Sequence, residues 1–376
     1  MATDSDVRLH APPSEEITVG CDTATADLLR EKATDVLAGL LDGPPAVELT
    51  SSCTHALEAA ATVLDIREGD EVIVPAFAFP SVANPFGIRG ASLRFADCDP
   101  ATGNITTQEV RRCATERTRA VVCMHYGGVA CDVDSLVPLC RDAGWHLIED
   151  AAHGLFGSRS GTPLGRFGTL GAFSFHRTKN ISCGDGGALV VNDEALLDRV
   201  AVALDKGTNR AAYARGSVAA YEWSGLGSAW RMPDALVPLL AGQLGQHVGI
   251  QAARHRIWDV YASELTDWAR ATGTRLPTVH EGVEHPAHLF WLLLPVHLRR
   301  HDFVSHCAER GIEVARHFGS LPRSTFGALA ADPADVCPTA GLFGDQLVRL
   351  PLHPALSERD VERVLDAVTG FVPEKR

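Results

Sequence analysis

From residue 70 onward the chain alternates short apolar runs with stretches of helical periodicity, and this alternation restricts its fold more than any other feature. Glu71 to Phe79 (EVIVPAFAF), Ser92 to Asp97, Arg119 to Tyr126, Trp145 to Glu149, Leu170 to Phe175 and Ala188 to Val191 read as strands. Thr107 to Ala114 and Val133 to Ala143 read as helices between them, and Glu194 to Leu204 follows the last. Such a pattern predicts an α/β fold with a mostly parallel sheet covered by helices on both faces, where ligands gather at the carboxyl ends of the strands.

At 376 residues the chain exceeds a typical single core, so a second, smaller unit is expected. Residues 246–268 read as a long polar helix carrying Trp258 and Tyr261. Beyond it Leu289 to Val296 and Leu347 to Leu352 read as strands, and Phe303 to Arg310 and Glu358 to Phe371 as amphipathic helices. The predicted division is a large α/β domain over 1–245 and a small α+β domain over 246–376.

A net charge of −13 excludes a polyanion-binding surface while leaving room for a local arginine cluster facing a small anion, so no nucleic-acid partner is expected. The 10 cysteines, from Cys21 to Cys337, contain no Cys-x-x-Cys pair, which points to reduced thiols and to no metal site. Residues 1–20 lack the basic and apolar regions of a leader, and no later run is long enough to span a bilayer. A cytoplasmic protein without a membrane partner is the expectation.

Lysine is scarce, with four in the chain: Lys32, Lys179, Lys206 and Lys375. Only Lys179 has apolar strand residues before it and a glycine turn after it, in Phe173-Ser174-Phe175-His176-Arg177-Thr178-Lys179-Asn180 and Gly184-Asp185-Gly186-Gly187. That setting desolvates an amine, lowers its pKa and suits a Schiff base with a carbonyl cofactor. The competing reading is a solvated loop lysine.

Three other segments reach the same cleft if the sheet is parallel. Ser51-Ser52-Cys53-Thr54-His55 opens an alanine-rich helix and offers backbone amides and hydroxyls to a phosphate, or is a plain N-cap. Ile148-Glu149-Asp150-Ala151-Ala152-His153 ends a strand. Asp150 there can hold a pyridinium nitrogen and His153 reach the ring, or Asp150 caps a helix and His153 is a satisfied polar residue. In Pro75-Ala76-Phe77-Ala78-Phe79 one aromatic either stacks on a flat ring or belongs to the core. A phosphate cup, a carboxylate for a ring nitrogen, a stacking ring and a Schiff-base lysine are together what pyridoxal 5'-phosphate (PLP) requires.

On these residues, and on Gly69-Asp70-Glu71-Val72-Ile73-Val74-Pro75, Val121 to Ala130 and Lys206-Gly207-Thr208-Asn209-Arg210, the chain resembles the DegT/StrS family of PLP-dependent nucleotide-sugar aminotransferases over nearly its whole length. The likeness is greatest to the TDP-4-keto-6-deoxyglucose 4-aminotransferases. It implies the PLP-dependent transferase fold of the aspartate aminotransferase type (fold type I). It also implies that Lys179 forms the Schiff base and shuttles protons, that Asp150 pairs with the pyridine nitrogen, that His153 lies near the phenolic oxygen, that Cys53, Thr54 and Ser174 hold the phosphate, and that Phe79 stacks on the ring. A homodimer with shared active sites, L-glutamate as amino donor and amino-sugar synthesis for surface polysaccharides or antibiotics are further implications.

Two segments depart from the family pattern. Leu226-Gly227-Ser228-Ala229-Trp230-Arg231 has alanine where an asparagine from the partner subunit meets the phosphate, and His317-Phe318-Gly319-Ser320-Leu321-Pro322 lacks a tyrosine hydroxyl near the sugar. Asn209 and His317 are substrate-binding candidates by position. Arg210, Arg231 and Arg323 are candidates for the nucleotide pyrophosphate, with surface ion pairs the equal alternative for each. The other activities in view are amination of a 3-keto sugar or cyclitol, cyclisation of an aminoshikimate-type precursor, and a PLP-binding regulator without turnover.

Overall fold

A computed structural model describes residues 6–10 and 23–371; Cys21, Lys375 and most of residues 1–20 lie outside the described residues. Seven strands build the main sheet: β1 (Ala46–Thr50), β2 (Glu71–Pro75), β3 (Ser92–Ala96), β4 (Thr118–Met124), β5 (His146–Asp150), β6 (Leu170–Ser174) and β7 (Gly187–Val191). Their spatial order is β1-β7-β6-β5-β4-β2-β3. Neighbours from β6 through β3 pair in parallel, while β7 runs antiparallel to both β6 and β1. Every residue of β2 and β7 is buried, Glu71 at the start of β2 through its ion pair with Arg117, and the other residues read as apolar runs because helices cover both faces.

The expected strands are present with shifted ends: β4 begins at Thr118, β5 runs on to Asp150 and β7 begins at Gly187, while the others stop short of the expected bounds. The run Glu71 to Phe79 stops pairing at Pro75, because the chain then turns and Phe77 bridges to Ser320 instead. β1 is absent from the sequence pattern; its sequence AVELT carries a central glutamate and pairs only at the sheet edge. Among the helices, Val133–Ala143 has the predicted bounds and stops at Gly144, whose φ of 72° is the left-handed conformation that glycine adopts without strain. Helix Cys53–Val63 buries Ala56, Ala59, Ala60 and Ala61, small side chains that let its axis lie close to the sheet.

A second, antiparallel sheet is formed by β8 (Phe290–Leu293), β9 (Ala315–Arg316) and β10 (Leu347–Leu350), in the order β8-β10-β9. Helices His247–Glu264, Arg300–Ala308 and Glu358–Thr369 pack on it through Ile257, Tyr261, Phe303, Cys307, Val361, Val364 and Val368. The long polar stretch therefore divides, with Leu265 separating His247–Glu264 from Thr266–Thr272. Val7 bridges in parallel to Ile312 and joins this second core, so the N-terminal segment attaches to the C-terminal unit. Trp291, Leu293, Phe343 and Leu347 pack into the core of the large unit and fix one unit against the other. No helix among the described residues is long and apolar enough to cross a membrane.

Candidate active site

Asp150 is the last residue of β5 and Ser174 the last of β6, so parallel pairing delivers both to the same edge of the sheet. Lys179 follows in the turn that reverses the chain into β7. That turn is stitched by Phe175 N donating to Gly186 O at 2.8 Å, Cys183 N to Phe175 O at 3.0 Å and Lys179 N to His176 O at 2.8 Å.

Three charged or chargeable groups converge here. Burial lowers the Lys179 amine from an ordinary 10.5 to about 8, even though Asp150 and Cys53 act to keep it charged. Asp150 is 6% exposed, and burial raises its pKa against the pull of the Ala152 amide, Lys179 and His125. Its Oδ1 accepts Ala152 N at 2.9 Å, and no described residue donates to Oδ2. Burial also lifts the Cys53 thiol far above its usual range, with Asp150 adding to the rise and Lys179 opposing it.

Cys53 and Thr54 are the first residues of helix Cys53–Val63, whose initial amides have no acceptor within the helix. Ser52 caps it by accepting His55 N at 3.1 Å, and Thr54 Oγ1 lies 2.8 Å from Ser81 Oγ. β7 begins directly against this helix start: a Cβ on Gly187 would meet Ser52 C at 2.4 Å and Cys53 N at 2.5 Å. Only glycine permits that approach, which sets the Lys179 turn beside the helix N-terminus. Ser174 Oγ accepts His176 N at 3.4 Å.

The opposite wall is a stack of imidazoles. The His153 ring lies 4.2 Å from that of His288 and 5.6 Å from that of His317, both close to parallel. Gly127 N donates to His153 Nδ1 at 3.2 Å, which leaves the ring proton on Nε2. Burial, followed by the charge of Lys179, holds His153 and His288 neutral, and burial with Arg349 does so for His317. Asn180 orients His288, its Oδ1 lying 2.8 Å from Nδ1, while its Nδ2 donates to Pro286 O and Gln251 Oε1. Tyr126 OH meets His317 Nδ1 at 3.0 Å. Phe318, in the left-handed region at φ 50°, packs its ring against Phe77 and Tyr126.

The remaining expected residues are placed as follows. Phe79 is 59% exposed, with its ring 6.2 Å from Phe318, whereas Phe77 is buried in the core against Tyr126 and Phe343. Asn209 spends its amide on the loop, donating to Ala220 O and accepting Glu222 N, each at 2.9 Å. Arg231 is paired with Glu48 at 2.7 Å and Arg323 with Asp345 at 2.8 Å, the ion-pair alternative in both cases. Arg210 begins the short helix Arg210–Ala214 and is exposed. His288 and Arg349 carry no signal that singles them out in the sequence, and Tyr126 and Asn180 fall inside segments read as motifs without a role of their own; the contacts of all four are made by the small sheet folding over the large one.

A partly neutral amine, a buried carboxylate with one free oxygen, and a helix start packed against glycine backbone form a donor set that fits PLP. The DegT/DnrJ/EryC1/StrS aminotransferase family model matches residues 41–369. The spore coat polysaccharide biosynthesis protein SpsC of Bacillus subtilis is 33% identical, the match covering 86% of this chain and 84% of that one. GDP-perosamine synthase of Escherichia coli is 28% identical over 86% and 85%. Among solved structures, S. venezuelae DesV in complex with a ketimine intermediate superposes with a TM-score of 0.83 at 27% identity, covering 96% of this chain and 92% of DesV. The fold is that of the fold type I PLP-dependent aminotransferases. The chain belongs to the DegT/DnrJ/EryC1/StrS aminotransferase family and is a PLP-dependent sugar aminotransferase.

Proposed function

We propose that the enzyme transfers the amino group of L-glutamate to the keto carbon of a nucleotide-linked 4-keto-6-deoxyhexose, with TDP-4-keto-6-deoxyglucose as the acceptor, to give a TDP-4-amino-4,6-dideoxyhexose. The observation that carries this reading is the Lys179 amine, lowered to about 8 by burial and within charge reach of Asp150 and Cys53. Near neutral pH an appreciable fraction of it is unprotonated, as attack on a carbonyl and later proton exchange require.

PLP, when bound, supplies an electron sink for the carbon that loses its proton. The protein's own contributions follow from the site. Asp150 Oδ2 holds the ring nitrogen's proton in a charge-assisted bond. The amides at the start of helix Cys53–Val63, the Thr54 hydroxyl and Ser174 hold the phosphate dianion at the positive end of the helix. His153 offers its Nε2 proton to the phenolic oxygen, and Phe79, left exposed at the cleft, covers a ring face. Once freed, Lys179 takes the proton from the α-carbon of glutamate in the first half-reaction and delivers one to the sugar carbon in the second.

On the sugar side, His317 lines the pocket beside Phe318, and Arg210, unlike Arg231 and Arg323, has no carboxylate partner among the described residues and so suits a pyrophosphate. GDP-perosamine synthase among the relatives supports a nucleotide-linked acceptor. Tyr213, Tyr221, Trp223 and Leu226 expose large apolar side chains on one stretch of chain, with Trp223 77% accessible; a second copy covering them makes the active form a homodimer.

The test is mass spectrometry of the protein incubated with PLP, L-glutamate and TDP-4-keto-6-deoxyglucose, with the cofactor's visible band followed in parallel. An aminated sugar nucleotide is expected. A band that responds to glutamate without sugar product would mean another acceptor, and a band that never responds would remove transamination by glutamate altogether. Lys179→Ala and Lys179→Arg are both expected to abolish turnover.

A further inference from the structure

Residues 6–10 form a strap that extends the small sheet at its β9 edge. Val7 N donates to Gly311 O at 2.8 Å and Glu313 N to Val7 O at 3.0 Å, the bonds of a parallel pair with the chain that leads into β9. Leu9 N then turns to the Glu313 carboxylate at 3.3 Å, and Arg8 O accepts His353 Nε2 at 3.1 Å. Side chains alternate between the faces of such a strand, and here Val7 and Leu9 are buried while Arg8 between them is exposed. Val7, Val314, Val348 and Leu292 lie in the core under the helices, whereas Trp291, the pairing partner of Arg349, faces the large unit. Counted from Val7, His10 falls on the face of Trp291 and Arg349, toward the cleft. The electrostatics agree: Arg349, Glu313, His353 and Arg254 all act on His10, and His10 acts on His317. Burial, then Arg349, lowers the His10 imidazole to about 4 against the pull of Glu313, so near neutral pH the ring carries no charge. Its nitrogens make no hydrogen bond to a described residue.

We propose that His10 is a specificity-determining residue that binds a hydroxyl of the sugar acceptor. This rests on the reading of a nucleotide-linked keto sugar as the substrate. Chemistry selects the ligand: an uncharged imidazole offers one donor and one acceptor, the same pair that a hydroxyl offers, whereas a carboxylate or pyrophosphate calls for a cation. Glutamate brings two carboxylates and an ammonium group and has no hydroxyl, so nothing on it matches the ring. Position selects the part of the sugar. His317 is acted on by both Lys179 and His10, while Lys179 is acted on by Asp150, Cys53 and Arg349 and not by His10. His10 therefore stands farther from the reacting carbon than His317 does, at the part of the sugar ring remote from the keto group.

His10→Ala and His10→Gln in the full, PLP-loaded chain test this. Val7, Leu9 and the Arg8 carbonyl hold the strap in both variants, so the melting temperature stays put. The acceptor half-reaction with TDP-4-keto-6-deoxyglucose and the donor half-reaction with L-glutamate are each followed through the cofactor band. TDP-glucose, which has no keto group to aminate, is titrated by calorimetry. In His10→Ala the half-saturating keto sugar concentration rises about 10-fold and TDP-glucose binding weakens in parallel, as for loss of one neutral hydrogen bond. Half-saturation by glutamate is unchanged. His10→Gln, whose amide has both a donor and an acceptor, recovers part of the sugar affinity. Unchanged sugar affinity in His10→Ala would overturn the assignment. So would a loss confined to glutamate, or an equal loss for both substrates, which makes the role of the strap structural. If the wild-type protein binds TDP-glucose without aminating the keto sugar, the acceptor reading fails, and the calorimetric ratio of wild type to His10→Ala still decides the case for His10. If TDP-glucose does not bind the wild-type protein, the assignment falls together with that reading.

Discussion

Tyr126 and His317 meet across the cleft, hydroxyl to Nδ1 at 3.0 Å, and so tie the loop after β4 to the segment that follows β9. The Tyr126 ring is fully buried, edge-on to Phe77 at 5.0 Å, and Phe318 beside His317 holds a left-handed backbone that a bulky residue adopts only under constraint. Tyr126→Phe keeps the ring packing and removes only the bond. A loss of about 1 kcal/mol in stability is expected, with a larger fall in kcat/KM for the sugar acceptor than for the glutamate half-reaction, since His317 is then free to turn. Denaturant melts and separate half-reaction kinetics check this; an equal effect on both half-reactions would place His317 outside the sugar site.

Lys179 and Asp150 act on each other's protons. Burial lowers the amine to about 8, and the Asp150 carboxylate works in the opposite direction, so removing that charge lets the amine fall further. In cofactor-free protein, carbamylation of Lys179 by cyanate, which consumes only the neutral amine, should have its midpoint near 8 instead of the ordinary 10.5. Asp150→Asn should move the midpoint lower still. Peptide mass spectrometry across a pH series reads it, and a midpoint near the ordinary value would show that burial does not poise this lysine.

The legible parts of this chain are those fixed by local pattern. β7 and residues 72–75 and 120–124 of β2 and β4 are apolar because both faces are covered, and helix Val133–Ala143 displays its buried Val133, Leu136, Leu139 and Cys140 at helical spacing before a glycine stop. Lys179 and Asp150 stand out because a strand end and a glycine turn flank them. β1 is hidden by its glutamate, which faces partly outward and pairs with Arg231, 183 residues away. The same long separation defeats any guess about Arg231, since nothing local says that Glu48 neutralises it.

Acid should weaken the fold through the imidazole stack. In the unfolded chain histidine takes a proton near 6.5, whereas burial keeps His153 and His288 neutral to much lower pH. Below 6.5 the unfolded state therefore binds more protons, and stability falls as pH drops from 6.5 toward the depressed folded values. Each such histidine contributes about 1.4 kcal/mol per pH unit within that window. Unfolding free energies at pH 7, 6 and 5 should fall accordingly, and His288→Gln should flatten the slope between pH 6 and 5 by about one proton. An unchanged slope would mean that His288 protonates equally in both states.

Gly187 provides the sharpest test of how the helix start is positioned. An alanine Cβ there would press on Ser52 C, Cys53 N and Phe173 O at 2.4, 2.5 and 2.7 Å, all backbone atoms that cannot rotate away. β7 would have to withdraw from helix Cys53–Val63, opening the seat assigned to the phosphate. Gly187→Ala should cost about 3 kcal/mol in stability, the upper end for overpacking, and weaken PLP binding at least tenfold in an absorbance titration. Gly184 lies in the same turn with φ 89°, and a methyl group there would have nothing within 4 Å, so Gly184→Ala carries the backbone strain without the clash. Its stability should fall by about 1 kcal/mol with PLP affinity unchanged. If both variants lose PLP equally, the conformation of the turn that carries Lys179, and not the seat at the helix, governs cofactor binding.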